Sequence, residues 1–338
     1  MTHFPVTNSN LSAKHIGLFL QENYSLSEDT TCRLIKAGIN DTYLVSDHSD
    51  HFVFRVYSLN WRSKAEINEE INLLNQLKEQ AISISYPLPD REGTYIHTLH
   101  APEGDRFGVL FTFAPGEKQH LISEEMHFQI GQLMARFHQV TQNQQVDRVT
   151  YTSEVILVDS LEKVSAFLKS DTEEMHFMRA AQAYLLKEFE LADRSQIRQG
   201  IVHLDIWFDN LNITSENRVT LFDFDFCGNG WLCLDLAYYI LQLHNIEKYE
   251  AKDYQPKVAA FLKGYESVTP ISAEEKRLIP ILGVSLYFFY LGVQCERYDN
   301  WSNSFLSENY LKRFINGLVK RYYEMYELGG HNTLLTAD

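Results

Sequence analysis

The chain is short of cysteine and of positive charge, and each shortage excludes a class of protein. Its 338 residues include four cysteines, none in a C-x-x-C pair. The sequence therefore predicts neither a zinc site nor a disulfide framework, but reduced and buried thiols. Thirty lysines and arginines stand against 45 acidic residues, so the net charge is −15. Because such a chain repels phosphate backbones, no nucleic acid partner is predicted.

Long apolar runs are also scarce. The N-terminus has no basic segment followed by an apolar one, so no signal peptide is predicted. Leu278–Cys295 is about long and apolar enough to span a membrane, but Pro280, Ser285 and Gln294 interrupt it. We therefore predict a buried core helix in a cytoplasmic protein without a membrane partner. Nothing in the sequence sets the oligomeric state.

Residues 1–113 are predicted to be rich in β-structure, with one helix. Strand-forming residues are concentrated in five short runs: Thr31–Ile35, Thr42–Val45, Phe52–Tyr57, Thr94–Leu99 and Gly108–Phe113. The helix is predicted from about Lys64 to Gln80, because Ser63 and Glu66 form a capping-box pattern at its start. Apolar residues repeat through this segment at helical spacing.

After Phe113 the chain becomes mainly helical. Helices are predicted over three segments: Glu124–Val140, Glu173–Phe189 and Val258–Tyr265. A compact β-like region, Ile201 to Phe226, lies between the last two. The sequence therefore predicts an α+β fold with two lobes, a small β-rich one over residues 1–113 and a larger, mostly helical one over 114–338. Protein kinases have this layout.

The most informative segment begins at His203. Asp205 follows at H-x-D spacing, Asn210 comes five residues later, and Asp223 comes thirteen residues after the Asn. Protein kinases have this spacing between the catalytic Asp, the Asn and the metal-binding Asp. The apolar residues between Asn210 and Asp223 predict a hairpin, which would bring these two side chains together.

Phosphoryl transfer explains these residue types. The transferred group is highly charged, so divalent cations must be held against the phosphates. Mg²⁺ prefers oxygen ligands, and Asn210 and Asp223 supply them. The carboxylate of Asp205 would orient the acceptor hydroxyl and accept its proton. We therefore predict an ATP- and Mg²⁺-dependent phosphotransferase, with a nucleotide-binding first lobe and a catalytic, substrate-binding second lobe.

This segment resembles the aminoglycoside phosphotransferase and choline kinase superfamily more than eukaryotic protein kinases. That family follows H-x-D-x4-N with an apolar-Asp-Phe element and then Asp-Leu-Ala, which stands here at residues 235–237. The resemblance implies that Asp205 is the catalytic base, and that Asn210 and Asp223 are metal ligands.

The resemblance also implies supporting roles around the catalytic loop. It makes His203 a loop-supporting residue rather than a base. It lets Asp235 brace the loop, although Asp235 fits a helix N-cap equally well. Asp225 stands where protein kinases have Gly, and we interpret it as a carboxylate behind the metal site rather than a metal contact.

The signals for nucleotide binding are weaker. Arg55 lies on the third predicted strand, where kinases have Lys, and Glu70 lies on the apolar face of the following helix. An ion pair between them is predicted, with Arg55 reaching the phosphates; a solvated Glu70 is the alternative. The turn with Gly38 and Asn40 would cover the phosphates, though an ordinary hairpin turn fits as well. The hinge is the segment that joins the two predicted lobes. The backbone groups of Thr112 and Ala114, which lie there, are predicted to contact adenine.

The acceptor is predicted to be a small-molecule alcohol, and homoserine, choline or ethanolamine, a sugar and an aminoglycoside all fit. Only twelve residues lead from Asp223 to Asp235, so there is no obvious activation segment for a large protein substrate. A cationic or zwitterionic acceptor would be attracted by the net charge and held by carboxylates and aromatic rings. The candidate residues follow the apolar helix, where a solvated loop is the alternative: Glu296, Tyr298, Asp299 and Trp301.

Two other functions stay open. One is a bacterial Ser/Thr protein kinase of the aminoglycoside-kinase-like type. The other is a nucleotide-binding pseudokinase, which Arg55 and the single glycine of the phosphate loop would allow. The sequence does not distinguish ATP from GTP as the donor.

Overall fold

The computed structural model describes residues 4–246, 251–298 and 305–329. The chain divides into two compact units. The first contains Met1–Glu117 and Leu211–Asp223, and the second contains Lys118–Asn210 and Phe224–Asp338. Residues 211–223 therefore belong with the N-terminal part, although 118–210 intervene in the chain. Strands dominate the first unit and helices the second, so the predicted α+β class is confirmed.

The strands and helices of the described residues have the following bounds. The strands are β1 (Thr31–Ala37), β2 (Asp41–Asp47), β3 (Asp50–Val56), β4 (Pro87–Leu88), β5 (His97–Ala101), β6 (Gly104–Thr112), β7 (Gln199–Val202), β8 (Leu211–Ile213), β9 (Val219–Leu221) and β10 (Gly228–Trp231). The helices are α1 (Ala13–Tyr24), α2 (Lys64–Glu79), α3 (Glu124–Thr141), α4 (Asp159–Ser165), α5 (Glu173–Leu191), α6 (Cys233–Ile246), α7 (Ala251–Glu266), α8 (Ala273–Glu296), α9 (Glu308–Phe314) and α10 (Arg321–Met325). Glu154–Val158 and Ile315–Lys320 are π-helical.

The first unit is built on an antiparallel sheet of six strands, in the order β1-β2-β3-β6-β4 with β5 paired to β6. The sequence predicted five strands and one helix, so β4 and α1 were missed. Helix α1 has no side-chain cap bond to mark its start. Ile16 and Leu20 are buried against Tyr43, Val45 and Phe54 of the sheet.

Helix α2 begins with the predicted capping box. The Ser63 hydroxyl accepts a hydrogen bond from the Glu66 backbone N–H at 3.2 Å, and the Glu66 carboxylate accepts one from the Ser63 N–H at 2.8 Å. Each bond satisfies a donor that the helix start leaves unpaired. The apolar face that follows includes Ile67 and Ile71, and it also contains Glu70, which is 1% exposed. The alternative of a solvated Glu70 is therefore wrong.

The second unit is mainly helical, and α8 runs through its core. This helix is long and apolar enough to cross a membrane by length and composition, but 83% of its most apolar window is buried inside the protein. The predicted buried core helix is confirmed. Helix α3 packs against α7, and α6 packs against α8.

The segment between β7 and β10 contains the predicted catalytic residues. Strand β7 pairs antiparallel with β10, and Val202 lies opposite Gly228. Within the first unit, β8 and β9 form the predicted hairpin, with Leu211 opposite Leu221. Asn210 immediately precedes β8, and Asp223 follows β9 by two residues.

Candidate active site

The second unit holds the carboxylate of Asp205 through both of its oxygens. The Tyr238 hydroxyl donates to Oδ1 at 2.5 Å, and the Asn210 Nδ2 donates to Oδ2 at 2.7 Å. The same amide nitrogen donates to the Asp205 carbonyl at 3.0 Å. Burial, and next the charge of Asp205, raise the pKa of Tyr238 well above its usual value, so Tyr238 stays protonated and donates. These bonds fix the direction of a partly exposed carboxylate.

Asp235 holds the backbone that leads to this carboxylate. Its side chain is fully buried and accepts hydrogen bonds from the backbone N–H groups of His203 at 2.9 Å and Leu204 at 2.6 Å. Its Oδ2 also lies 2.9 Å from Nε2 of His138. Asp235 is the third residue of α6, so the N-cap alternative is wrong. The contacts are those expected of a residue that braces the catalytic loop.

His203 and Leu204 shape the loop from within. The Nδ1 of His203 accepts the backbone N–H of Asp205 at 3.1 Å, and its buried ring packs edge-to-face on Phe224 with the ring centres 4.3 Å apart. These contacts fit the predicted supporting role. Leu204 has a φ of 61°, a strained backbone conformation of the kind that is found at functional sites.

In the first unit, Arg55 joins two carboxylates. Its Nη1 lies 3.1 Å from Oε1 of Glu70, and its Nη2 lies 2.8 Å from Oδ1 of Asp223. The predicted Arg55–Glu70 ion pair is confirmed. Tyr57 donates to the second oxygen of Glu70 at 3.1 Å, and the guanidinium lies 5.1 Å from the Phe111 ring centre. Two anionic groups and aromatic contacts therefore fix one buried cation.

The predicted metal ligands have the chemistry that Mg²⁺ requires. Asp223 offers a carboxylate, and its φ of 66° again marks backbone strain. Asn210 directs its amide nitrogen to Asp205, which leaves its oxygen for other ligands. Hard oxygen donors of this kind suit Mg²⁺. The described residues contain no group of three or more His, Cys, Asp or Glu side chains that could hold a metal, so metal binding by Asn210 and Asp223 stays a prediction.

The predicted phosphate turn is held by its own hydrogen bonds. Asn40 is buried; its side-chain oxygen accepts the Ser58 backbone N–H at 3.2 Å, and its carbonyl accepts the Gly38 N–H at 3.3 Å. A phosphate contact at this turn stays a prediction.

At the predicted hinge, two backbone carbonyls already accept hydrogen bonds from other residues of the first unit. The Thr112 carbonyl accepts the Ser85 hydroxyl at 2.6 Å, and the Ala114 carbonyl accepts the Asn212 amide at 2.7 Å. Each carbonyl has a second lone pair, so the adenine contacts stay a prediction.

The candidate acceptor residues are only partly placed. Glu296 forms an ion pair with Lys163 at 2.9 Å, and the exposed Tyr298 ring lies 5.2 Å from the Phe167 ring. Asp299 and Trp301 lie outside the described residues. An ordinary protein surface would also have contacts of these two kinds, so acceptor binding here stays a prediction.

Asp225 is buried, and its backbone carbonyl accepts a hydrogen bond from Arg148 at 2.5 Å. Arg148 also donates to the Cys227 sulfur at 3.0 Å. The buried position is compatible with a carboxylate behind the metal site, which stays a prediction.

Comparison with known proteins places the chain in a family. A family model described as the phosphotransferase enzyme family matches residues 31–271. The chain belongs to this family. It is therefore a phosphotransferase, and the resemblance inferred from residues 203–237 is confirmed.

Two relatives and two solved structures illustrate the similarity. The chain is 28% identical to an uncharacterised protein of Synechocystis sp., over 93% of this chain and 87% of that protein. It is 27% identical to a homoserine kinase of Brucella anthropi, over 81% of each. A microcompartment-associated aminopropanol kinase has a TM-score of 0.76 at 20% identity, covering 93% and 99% of the chains. An amicoumacin kinase bound to AMP-PNP and Ca²⁺ has a TM-score of 0.74 at 18% identity, covering 93% and 97%. The two structures show that the phosphotransferase has a kinase-like fold.

Sequence reasoning missed two tyrosines of this phosphotransferase. Tyr238 donates to the Asp205 carboxylate, and Tyr290 donates to the Leu204 carbonyl. Their rings pack together with centres 5.1 Å apart. Tyr238 had a detectable signal, because it lies three residues after Asp235 and therefore on the same helix face. Tyr290 had none, since it lies in an apolar run that reads as core.

Proposed function

We propose that this phosphotransferase transfers the γ-phosphoryl group of ATP to the hydroxyl of a small molecule, with Asp205 as the catalytic base. The observation that carries the proposal is the carboxylate of Asp205, which Tyr238 and Asn210 hold in one direction. A base aligned in this way can accept a hydroxyl proton without first losing conformational freedom.

The nucleotide would be bound by the other predicted residues. Asn210 and Asp223 would hold Mg²⁺, which neutralises charge on the phosphates when it is bound. Arg55, positioned by Glu70, would contact the phosphates; a guanidinium can do so through two N–H groups. The AMP-PNP complex of the amicoumacin kinase supports nucleotide binding in this fold. Residues 1–113 would then be the nucleotide-binding lobe and 114–338 the catalytic and substrate-binding lobe.

The acceptor would be a cationic or zwitterionic alcohol. The net charge of −15 raises the local concentration of cations. The names of the homoserine and aminopropanol kinases support this class, because both alcohols have an amino group. The four free cysteines are compatible with the cytoplasm, where we propose that the protein acts.

A panel of acceptors tests the proposal. Transfer of ³²P from γ-labelled ATP with Mg²⁺ should be detected with amino alcohols or hydroxy amino acids, and not with Ser-containing peptides. Transfer to a peptide alone would favour the protein-kinase alternative. Nucleotide binding without transfer to any acceptor, and without Mg²⁺-dependent ATP hydrolysis, would favour the pseudokinase alternative.

A further inference from the structure

Three charged side chains are buried together in the first unit, and the proposed mechanism uses none of them. Asp41 is the first residue of β2, Glu103 lies in the turn before β6, and Arg106 lies near the start of β6. Their side chains are 5%, 1% and 0% exposed. The Arg106 Nη2 lies 2.9 Å from Oδ2 of Asp41, and its Nη1 lies 3.4 Å from Oε1 of Glu103. We call these three residues the buried triad.

All five N–H groups of the Arg106 guanidinium have an acceptor. Besides the two carboxylates, they donate to the carbonyls of Tyr57 at 2.8 Å, Val56 at 3.2 Å and Ser9 at 2.7 Å. Arginine presents its five donors in one rigid plane, so this arrangement fixes the end of β3 relative to Asp41. Burial raises the pKa of Asp41, and the positive charge of Arg106 opposes that shift.

The segment before α1 supplies the remaining partners of the triad. Ser9 donates its backbone N–H to Oε1 of Glu103 at 3.2 Å and its hydroxyl to Oε2 at 2.7 Å. The Asn10 amide donates to Oδ1 of Asp41 at 3.1 Å. Each oxygen of the two carboxylates therefore accepts at least one hydrogen bond, which is the condition under which proteins bury charge.

The energetics of the triad favour a positional role. Its charges sum to −1, and moving ions out of water is unfavourable even when they pair. Apolar side chains of similar volume often stabilise a core equally well or better. They cannot provide direction, however, because only a planar guanidinium fixes five acceptors at once. We therefore infer that the triad defines the position of the backbone that it contacts.

That backbone borders the predicted phosphate turn, which joins β1 to β2. Asp41 directly follows the turn. From the other side, Ser58 donates its N–H to the side chain of Asn40 at 3.2 Å and its hydroxyl to the Ile39 carbonyl. The carbonyl just before Ser58 is one that Arg106 holds. The turn is therefore attached at its end and at its side to groups that the triad fixes.

We propose that Arg106 is a positioning residue for nucleotide binding, which holds the phosphate turn in one place through the buried triad. The proposal rests on the proposed function, because it requires that this turn contacts the phosphates. A turn that is ordered before the nucleotide arrives loses little conformational entropy on binding. Disruption of the triad should therefore weaken the phosphate contacts. It should spare the adenine contacts, which are predicted beyond the opposite end of β6.

Calorimetry with AMP-PNP and AMP, both with Mg²⁺, tests the proposal, because AMP lacks the β- and γ-phosphates. Asp41→Asn keeps the side-chain shape and leaves Arg106 and Glu103 as a neutral pair, so the fold should be kept. It should weaken AMP-PNP binding about 5- to 10-fold, the entropy of ordering roughly one backbone residue, and leave AMP binding unchanged. Arg106→Lys keeps the charge but replaces the planar fork by one ammonium group, and it should have the same effect.

Asp47→Asn is the matched control. Asp47 is the last residue of the same strand, about 20 Å from Asp41 along β2. Its carboxylate accepts the Ser27 N–H at 3.3 Å and the Thr30 hydroxyl at 3.1 Å, so the substitution removes the same charge and similar bonds. Both affinities should stay unchanged. An equal loss of AMP-PNP affinity in the two Asp variants, an equal loss for AMP and AMP-PNP, or no loss in Asp41→Asn would overturn the proposal.

Amide hydrogen exchange measures the hold on the turn without any nucleotide. Peptides that cover residues 36–42 should exchange faster in Asp41→Asn than in the unchanged protein, and no faster in Asp47→Asn. If the unchanged protein bound neither nucleotide, the proposed function would be wrong. Faster exchange in Asp41→Asn would then still support the role of the triad in holding the turn, and unchanged exchange would overturn it.

Discussion

At the scale of single residues, Asp205 gives the clearest prediction. Asp205→Asn should lower transfer at least about 100-fold, the usual contribution of a general base, because an amide cannot accept the proton. Affinity for AMP-PNP should stay within a few-fold, since Asp205 is bonded to protein donors and not expected to bind the nucleotide. A coupled kinase assay and calorimetry measure the two effects.

Asp209→Asn is the matched control, because Asp209 lies in the same loop and pairs only loosely with Lys118 at 3.8 Å. Near-normal turnover of the Asp205 variant would show that another group is the base.

The proposed metal ligands differ in charge, so their substitutions should differ in size. Asp223→Ala should abolish Mg²⁺-dependent nucleotide binding, and Asn210→Ala should weaken it less, because a carboxylate binds Mg²⁺ more strongly than a neutral amide. Titration of ATP with and without Mg²⁺ measures both. Glu216→Ala, in the exposed turn between β8 and β9, removes the same charge and should have no effect. An unchanged Mg²⁺ dependence in Asp223→Ala would rule out the assigned role.

Asp235 should matter for stability as well as activity. Asp235→Asn keeps the shape but replaces one accepting oxygen by a donor, which leaves at least one buried N–H of the catalytic loop unsatisfied. The free energy of unfolding should fall by about 1–3 kcal/mol, and phosphoryl transfer should fall with it. Urea denaturation measures the first effect. Asp171→Asn, at an exposed position, should leave both unchanged; equal stability of the Asp235 variant would contradict the bracing role.

At the scale of elements, α3 and α7 approach each other closely through two glycines. A Cβ on Gly131 would overlap the Phe261 carbonyl, and a Cβ on Gly264 would overlap the Phe128 carbonyl. Gly131→Ala or Gly264→Ala should therefore force the helices apart and lower the free energy of unfolding by about 1–3 kcal/mol. Gly317→Ala is the control, because its added methyl group meets open space and helix propensity favours alanine by about 0.5–1 kcal/mol. Thermal unfolding of the three variants decides the matter; similar losses in all three would mean that helix contact is not the cause.

The elements that were predicted best are those with local signals at their ends. The Ser63 and Ser123 caps start α2 and α3, because their hydroxyls accept backbone N–H groups a few residues ahead. Helix α1 begins at Ala13, and the side chain of Ser12 before it makes no cap bond. Its start therefore has no cap signal, although Ile16 and Leu20 are four residues apart, as on one face of a helix.

At the scale of the whole molecule, cysteine usage makes a prediction. All four cysteines are free, and Cys227, Cys233 and Cys295 are buried. A thiol reagent should react slowly with the folded protein and with four thiols after denaturation, because burial both blocks access and raises the pKa of Cys233 and Cys295. Dithiothreitol should not change the unfolding temperature. A shift with dithiothreitol, or fewer than four reactive thiols in urea, would contradict the assignment.

The division into two units could not be predicted from one cut in the sequence. Residues 211–223 belong to the first unit because β8 and β9 both form backbone hydrogen bonds with it. The Ser85 N–H donates to the Leu221 carbonyl at 2.9 Å, and the Glu117 N–H donates to the Ile213 carbonyl at 3.1 Å. Hydrogen bonds of this kind join residues that are far apart in the chain, so composition and periodicity do not report them.

The sequence by itself determined the candidate groups, because residue types and local spacing decide which side chains can hold a metal or accept a proton. Asp205, Asn210, Asp223 and Arg55 have the types and the spacing expected of a phosphotransferase. Only the tertiary structure decided how those groups are held. Tyr290 reads as a core residue until α8 brings its hydroxyl to the catalytic loop. The spacing of Tyr238 places it on the helix face of Asp235, but only the packing of α6 shows that its hydroxyl reaches Asp205. Side-chain direction and burial depend on contacts between elements, and a linear pattern contains no information about those contacts beyond each element's own face.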